Sequence, residues 1–224
     1  MIILVANLKG GVGKTSLATS ILAEIAKEQA VIGVDLDVAN QTASQFWSSQ
    51  RTEVEGRFYP LSGDIKPALL DAKKDYDHVV IDGGGYDSSE LRIAMLLADI
   101  ILIPLRVGAN SNIDSFRKTA EIVEEVIKLR DKNQGAVRVL GVVTAAPHIG
   151  SNAEVDRATL EIVNDPTVQT VSVRLGDRSW YGRAFDAYKG ITEYVSPVSR
   201  DQRYVDKAKD EFLELFKELM NEQH

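Results

Sequence analysis

Residues 8–16, Leu-Lys-Gly-Gly-Val-Gly-Lys-Thr-Ser, restrict this 224-residue chain more than any other stretch. They follow a run of β-branched and aliphatic residues (2–6) and precede a segment with helical spacing (15–27). A glycine-rich turn joining a strand to a helix can point several backbone N–H groups at one centre, and the helix adds its positive N-terminal end. That arrangement suits phosphate. Lys14 is placed to reach the outer phosphates of a nucleotide, and the Thr15 hydroxyl is placed to meet a magnesium ion.

The rest of the chain repeats the strand-then-helix pattern. Residues 31–35, 78–82, 99–105, 137–144 and 168–175 are short and almost continuously apolar, as strands covered on both faces are. Between them, residues 64–73, 88–97, 113–130 and 153–163 have helical spacing or helix-forming composition, and residues 204–223 put Val205, Ala208, Phe212, Leu215, Phe216 and Leu219 on one helical face. Alternation of this kind means right-handed crossovers onto a mostly parallel sheet flanked by helices on both faces. No linker or repeat interrupts it, so residues 1–224 are expected to form a single α/β domain.

Composition removes whole classes of function. The chain has no cysteine, and its histidines at 78, 148 and 224 have no mutual ligand spacing, so disulfides, thiolate metal sites and iron–sulfur chemistry are excluded. No run approaches the ~18 apolar residues of a spanning helix, and no signal-peptide pattern opens the chain. A soluble, cytoplasmic protein is expected. The net charge of −7 requires any nucleic-acid contact to come from a local patch. One stretch qualifies: residues 174–203 hold six basic and four acidic side chains, a local +2.

Chemistry on a nucleotide also needs a carboxylate near the metal and a group to orient water. Residues 79–85, Val-Val-Ile-Asp-Gly-Gly-Gly, form a Walker-B-like strand from which Asp82 emerges beside the loop as the expected magnesium partner; its plainer alternative is a cap on the next turn. Val34-Asp35-Leu36-Asp37 closes the second strand with two further carboxylates.

The loop lacks the glycine that an ordinary phosphate loop carries at position 8 and has Lys9 instead. Lys-Gly-Gly-Val-Gly-Lys-Thr thereby resembles the deviant Walker A motif of the ParA/MinD superfamily, and the chain as a whole resembles its ParA-type partition ATPases. The resemblance implies a P-loop ATPase that binds ATP and Mg²⁺ through Lys9, Gly10, Gly11, Val12, Gly13, Lys14, Thr15 and Ser16. It implies a homodimer formed with ATP in which Lys9 reaches the partner's nucleotide, acting as an arginine finger does. It also gives Asp37, the second aspartate of an Asp-x-Asp switch, the role of orienting the hydrolytic water, although this chain continues Val38-Ala39-Asn40-Gln41 where partition ATPases usually have Pro-Gln. The Asn-Lys-x-Asp string that reads guanine is absent, so ATP is favoured, with the base expected near residues 144–147 and 175.

Within that superfamily the chain fits the small partition type, which has no helix-turn-helix ahead of the first strand and leaves site recognition to a separate centromere-binding or adaptor protein that stimulates hydrolysis. Non-specific DNA, and with it nucleoid association in the ATP state, is then expected at Arg178, Arg183, Lys189, Arg200 and Arg203. Trp180, Tyr181, Phe185 and Tyr188 lie among them either as base-stacking groups or as packing residues. Two other readings stand beside this one. A MinD-like positioning ATPase would hold a membrane through its last helix, but residues 204–223 carry three lysines against six acids and repel anionic lipid. A small-molecule ligase of the dethiobiotin-synthetase type would need a substrate pocket that the sequence does not display.

Overall fold

The computed structural model describes residues 1–37, 43–51, 56–131, 135–147, 153–176 and 179–221. Seven strands, β1 (Ile2–Val5), β2 (Val31–Asp35), β3 (Phe58–Pro60), β4 (His78–Asp82), β5 (Ile100–Arg106), β6 (Arg138–Ala146) and β7 (Gln169–Gly176), form one sheet in the order β3-β2-β4-β1-β5-β6-β7. Every pairing in it is parallel. The expected mostly parallel α/β architecture is therefore present.

The strands are apolar throughout because both faces are covered. In β1, Ile2 and Leu4 point into one layer and Ile3 and Val5 into the other. The first layer is closed by α3 (Lys66–Asp75), α4 (Ser89–Leu97), α5 (Asn110–Ile127) and α6 (Ala153–Val163) through residues such as Leu69, Met95, Phe116 and Ile162. The second is closed by α1 (Lys14–Ile25), α2 (Ala43–Ser49), α7 (Ser179–Asp186) and α8 (Gln202–Met220), with Leu17, Trp47, Trp180 and Phe212 buried in it. Leu17, Trp47 and Phe212 are each at most 2% exposed, and at ~25 cal/mol per Å² of apolar surface such side chains are worth about 2–3 kcal/mol each.

Local rules set the helix ends. Ser88 caps α4, its hydroxyl accepting from the Leu91 N–H at 3.1 Å, and Pro67 lies in the first turn of α3, where a missing N–H costs nothing. The amphipathic α8 uses its apolar stripe, Val205, Ala208, Phe212, Leu215 and Leu219, to pack on the sheet and leaves its charges outside.

Because β1 lies between β4 and β5, the carboxyl ends of β1, β2 and β4 meet where the chain leaves β1 for the phosphate loop. Gly83 is required at this meeting: a Cβ there would lie 2.7 Å from the Val5 carbonyl oxygen. Three elements are not legible in the sequence: α2, β3 and α7. Among the described residues no helix is long and apolar enough to cross a membrane.

Candidate nucleotide site

The loop after β1 ends at Gly13, whose φ of 104° is open to glycine and strained for other residues. Helix α1 starts at Lys14 with no side-chain cap and no acidic residue in its first turn. Its leading N–H groups therefore face a cleft of about 460 Å³ without a partner from the protein's own caps. An anion fits there.

Lys14 is the buried cation of that cleft. It is 8% exposed, and its Nζ donates to the Lys9 carbonyl at 2.8 Å. Burial lowers its pKa while Asp82 and Asp37 pull it back up. Asp82 is 5% exposed and stands beside Asp35 in the β2–β4 register. Among the described residues its Oδ1 has no hydrogen-bond partner, and Thr15 is bonded to the carboxyl. An orphaned carboxylate oxygen beside a threonine hydroxyl is a donor set that suits a hard divalent cation, so these two residues fit magnesium. Burial first, and then the neighbouring Asp35, push the Asp82 carboxyl up to about 7.

That shift has a testable consequence. Between about pH 4 and 7 the unfolded chain has ionised this aspartate while the folded chain still holds its proton, so rising pH removes stability through this group. With magnesium and nucleotide removed, Asp82→Asn is expected to gain on the wild type by about 2–3 kcal/mol between pH 5 and 7 in urea unfolding. A constant difference between the two proteins across that range would show that Asp82 titrates at its ordinary value.

The other carboxylates lie at the end of β2. Asp35 is 1% exposed; its Oδ1 accepts from the Asp37 N–H at 2.9 Å and its Oδ2 from the Ser44 hydroxyl of α2. Asp35 thus shapes the turn that delivers Asp37 to the cleft wall. Gly85 approaches from the β4 side, where a Cβ would stand 3.9 Å from the Gly10 N and 4.0 Å from Lys14 Nζ. Thr144, Ala145 and Leu175 line the same cleft, in the region expected for the base, and Gly176, Tyr181 and Gly182 join them. The Thr144 hydroxyl donates to the Val12 carbonyl at 3.0 Å, tying β6 to the phosphate loop.

Lys9 is held within its own chain. Its Nζ donates to the Ser111 hydroxyl at 2.6 Å and to Asn112 Oδ1 at 2.7 Å, both in the first turn of α5. Nothing in the sequence near Lys9 announces those partners, which lie more than 100 residues away.

The loop, Lys14, Asp37 and Asp82 thus converge on one cleft, while the Lys9 side chain is turned to the start of α5. A family model described as the CobQ/CobB/MinD/ParA nucleotide binding domain matches residues 3–171. The chain belongs to that family. It is similar to the maintenance of carboxysome distribution protein A of Gloeobacter kilaueensis, 32% identical over 107 residues. The match covers 46% of this chain and 48% of that protein, so the chain spans about half the length of the curated relative it matches. Among solved structures it is similar to the MinC:MinD cell division complex of Aquifex aeolicus, with TM-score 0.73, 16% identity, and coverage of 100% of this chain and 97% of that one. A putative plasmid partition protein of Borrelia burgdorferi B31 bound to AMPPNP gives TM-score 0.68, 15% identity and coverage of 98% and 99%. At such identities the structural likeness speaks for the fold alone.

The residues expected to meet DNA are placed less closely together than those of the cleft. Arg183 lies on α7 with its guanidinium 4.6 Å from the centre of the Trp180 ring, and Lys189 lies in the turn after that helix. Arg200 sits just before α8, and Arg203 in its first turn, over the Tyr204 ring at 4.6 Å. All four are exposed; Arg178 lies outside the described residues. The interleaved aromatics take the packing alternative: Trp180 is 9% exposed, and Tyr181, Phe185 and Tyr188 pack against the same core layer.

Proposed function

We propose that this ParA/MinD-family chain is a partner-stimulated ATPase that dimerises with ATP and Mg²⁺ and, as a dimer, holds DNA without sequence preference so as to partition or position a cargo. The observation that carries this reading is the glycine-rich loop, opening on Lys9, that lines one cleft together with Lys14, Asp37 and Asp82. The loop N–H groups and Lys14 bind phosphate, Thr15 and Asp82 hold magnesium, and Asp37 orients water from the opposite wall. Magnesium, when bound, offsets negative charge on the phosphates. Lys9 must leave Ser111 and Asn112 before it can reach a partner subunit, so pairing exchanges two bonds within the chain for contacts across the interface.

DNA is the favoured surface because Arg183, Lys189, Arg200 and Arg203 are exposed on a chain that is otherwise acidic. The membrane alternative is less favoured, since the apolar stripe of α8 is buried in the core. The similarity to a carboxysome-distribution protein supports a second choice of cargo, a protein assembly in place of a plasmid or chromosome. A separate adaptor protein would join either cargo to the ATPase.

A monomer with few basic contacts binds DNA weakly, and pairing two patches can raise apparent affinity by ~10²-fold when both engage. Unrelated duplex DNA should therefore shift in a gel with Mg²⁺-ATP, be released with ADP and be lost at high salt. Lys189→Ala with Arg200→Ala should weaken that shift several-fold while light scattering still reports ATP-driven dimers. Dimers that ignore DNA at low salt would remove the nucleoid and leave a protein-borne cargo system.

A further inference from the structure

The cleft contains a second arginine-or-lysine cation that no motif announces. Arg106 is the last residue of β5, its side chain is exposed, and it lines the cleft from the side of β1 opposite to β2 and β4, which carry Asp37 and Asp82 at or just past their ends. Its Nη1 donates to the Gly11 carbonyl at 3.3 Å, which leaves most of its five N–H donors uncommitted to the loop. Its guanidinium enters none of the salt bridges found among the described residues.

The charges of the cleft do not otherwise balance around an anion. Lys14 is already set against Asp82 and Asp37. Lys9 is tied to Ser111 and Asn112, and Asn112 Nδ2 in turn donates to the Arg106 carbonyl at 3.0 Å, so the turn that restrains Lys9 also fixes the backbone of Arg106. Among the described residues of one chain, therefore, Arg106 is the cation left facing the outer half of the loop. Gly11 belongs to that half: it follows Gly10, which Gly85 approaches, whereas the inner phosphates fall to the N–H groups at the start of α1.

We infer that Arg106 contacts the terminal phosphate of ATP bound in its own subunit, and so distinguishes ATP from ADP before any dimer forms. The inference rests on the nucleotide site proposed above. A planar guanidinium that already touches the loop can turn its free donors to phosphate oxygens while keeping its stem in place. It acts on the nucleotide in cis, which separates it from the trans role expected of Lys9.

The test is a titration of Arg106→Gln and Arg106→Lys with AMPPNP and with ADP, both with magnesium, at protein concentrations where light scattering reports monomer. Arg106→Gln should weaken AMPPNP binding about tenfold and ADP binding less than about twofold, and Arg106→Lys should recover part of the AMPPNP loss. Equal losses for the two nucleotides, no loss at all, or a loss that emerges only once dimers form would each overturn the assignment. Lys14→Ala run in parallel separates the two levels of the claim: if it binds both nucleotides as the wild type does, the site itself is misplaced, whereas normal Arg106→Gln binding beside a dead Lys14→Ala sinks only the role of Arg106.

Discussion

Lys14→Ala is expected to lower ATP affinity by about 10²-fold or more, on the scale of one or two charge-assisted hydrogen bonds at ~1.5–3 kcal/mol each. The loss has two parts. The ammonium that should meet phosphate disappears, and the carboxylates of Asp82 and Asp37, which raise the pKa of Lys14 through their charge, are left facing an incoming anion without it. The Lys9 carbonyl also loses the donor at 2.8 Å that helps hold the loop closed. A titration with a fluorescent ATP analogue and magnesium reads the affinity, and far-UV circular dichroism confirms that the variant is folded. Wild-type affinity in a folded Lys14→Ala protein would mean that phosphate does not sit in this loop. Arginine should rescue poorly, because a guanidinium is too wide for a position that is 8% exposed.

How the site could be read from sequence follows from how locally each part is encoded. The phosphate loop is one continuous stretch whose glycines, lysine and threonine are all needed within nine positions, so spacing alone places it. Asp82 is legible for a related reason: it ends an apolar strand, and in a parallel sheet such ends gather on one side, whereas Asp37 lies two residues past the end of β2 and is legible only through the resemblance of its Asp-x-Asp pair. What spacing does not encode is strand order. That β1 lies between β4 and β5, and so brings Asp82 and Arg106 to opposite sides of one loop, is a property of the crossovers.

Residues that act through distant partners were correspondingly hidden. Ser111 and Asn112 restrain Lys9 from the start of α5, and Arg106 ends a strand whose apolar run draws attention away from its last residue. The missed elements were short. Strand β3 has three residues, two of them exposed, and pairs with β2 at the sheet edge, so no alternation can build up. Helix α2 has seven residues and α7 eight, too few turns for a periodic stripe, and each is fixed by a buried tryptophan, Trp47 or Trp180. The basic stretch was legible as a charge excess, but its aromatics take their meaning from burial, which only the fold supplies.

Arg51→Met is expected to destabilise the fold by about 2–4 kcal/mol, the range for removing one partner of a largely buried ion pair, reduced because Glu193 keeps some contact with water. Arg51 Nη1 donates to Glu193 Oε2 at 2.7 Å and to the Tyr188 carbonyl at 2.9 Å, and Nη2 donates to Glu193 Oε1 at 2.9 Å. The two side chains are 4% and 20% exposed, and the guanidinium carbon stands 4.3 Å from the centre of the Trp47 ring. Burial alone would raise the Glu193 carboxyl; the bonds from Arg51 and from the Gly190 N–H outweigh it and hold the group below its ordinary range. With Arg51 gone, Glu193 keeps the Gly190 N–H and the more distant charge of Lys27, and has lost its hydrogen-bonded counterion. Arg51→Met combined with Glu193→Leu should recover most of the loss, because an apolar pair replaces a buried ion pair at little net cost. Urea midpoints for the two single variants and the double variant measure the coupling, and additive single losses would show that the pair contributes nothing beyond its separate packing. The joint matters for the site because the same short helix holds both ends of a connection. Ser44 of α2 bonds Asp35 at the wall of the nucleotide cleft, while Trp47 Nε1 donates to the Lys189 carbonyl at 3.4 Å, in the stretch that carries the exposed basic residues. Loosening Arg51 therefore weakens, without severing, the tie between α2 and the C-terminal segment and leaves Lys14, Asp82 and the loop untouched, so ATP binding should persist in a protein whose global stability has dropped.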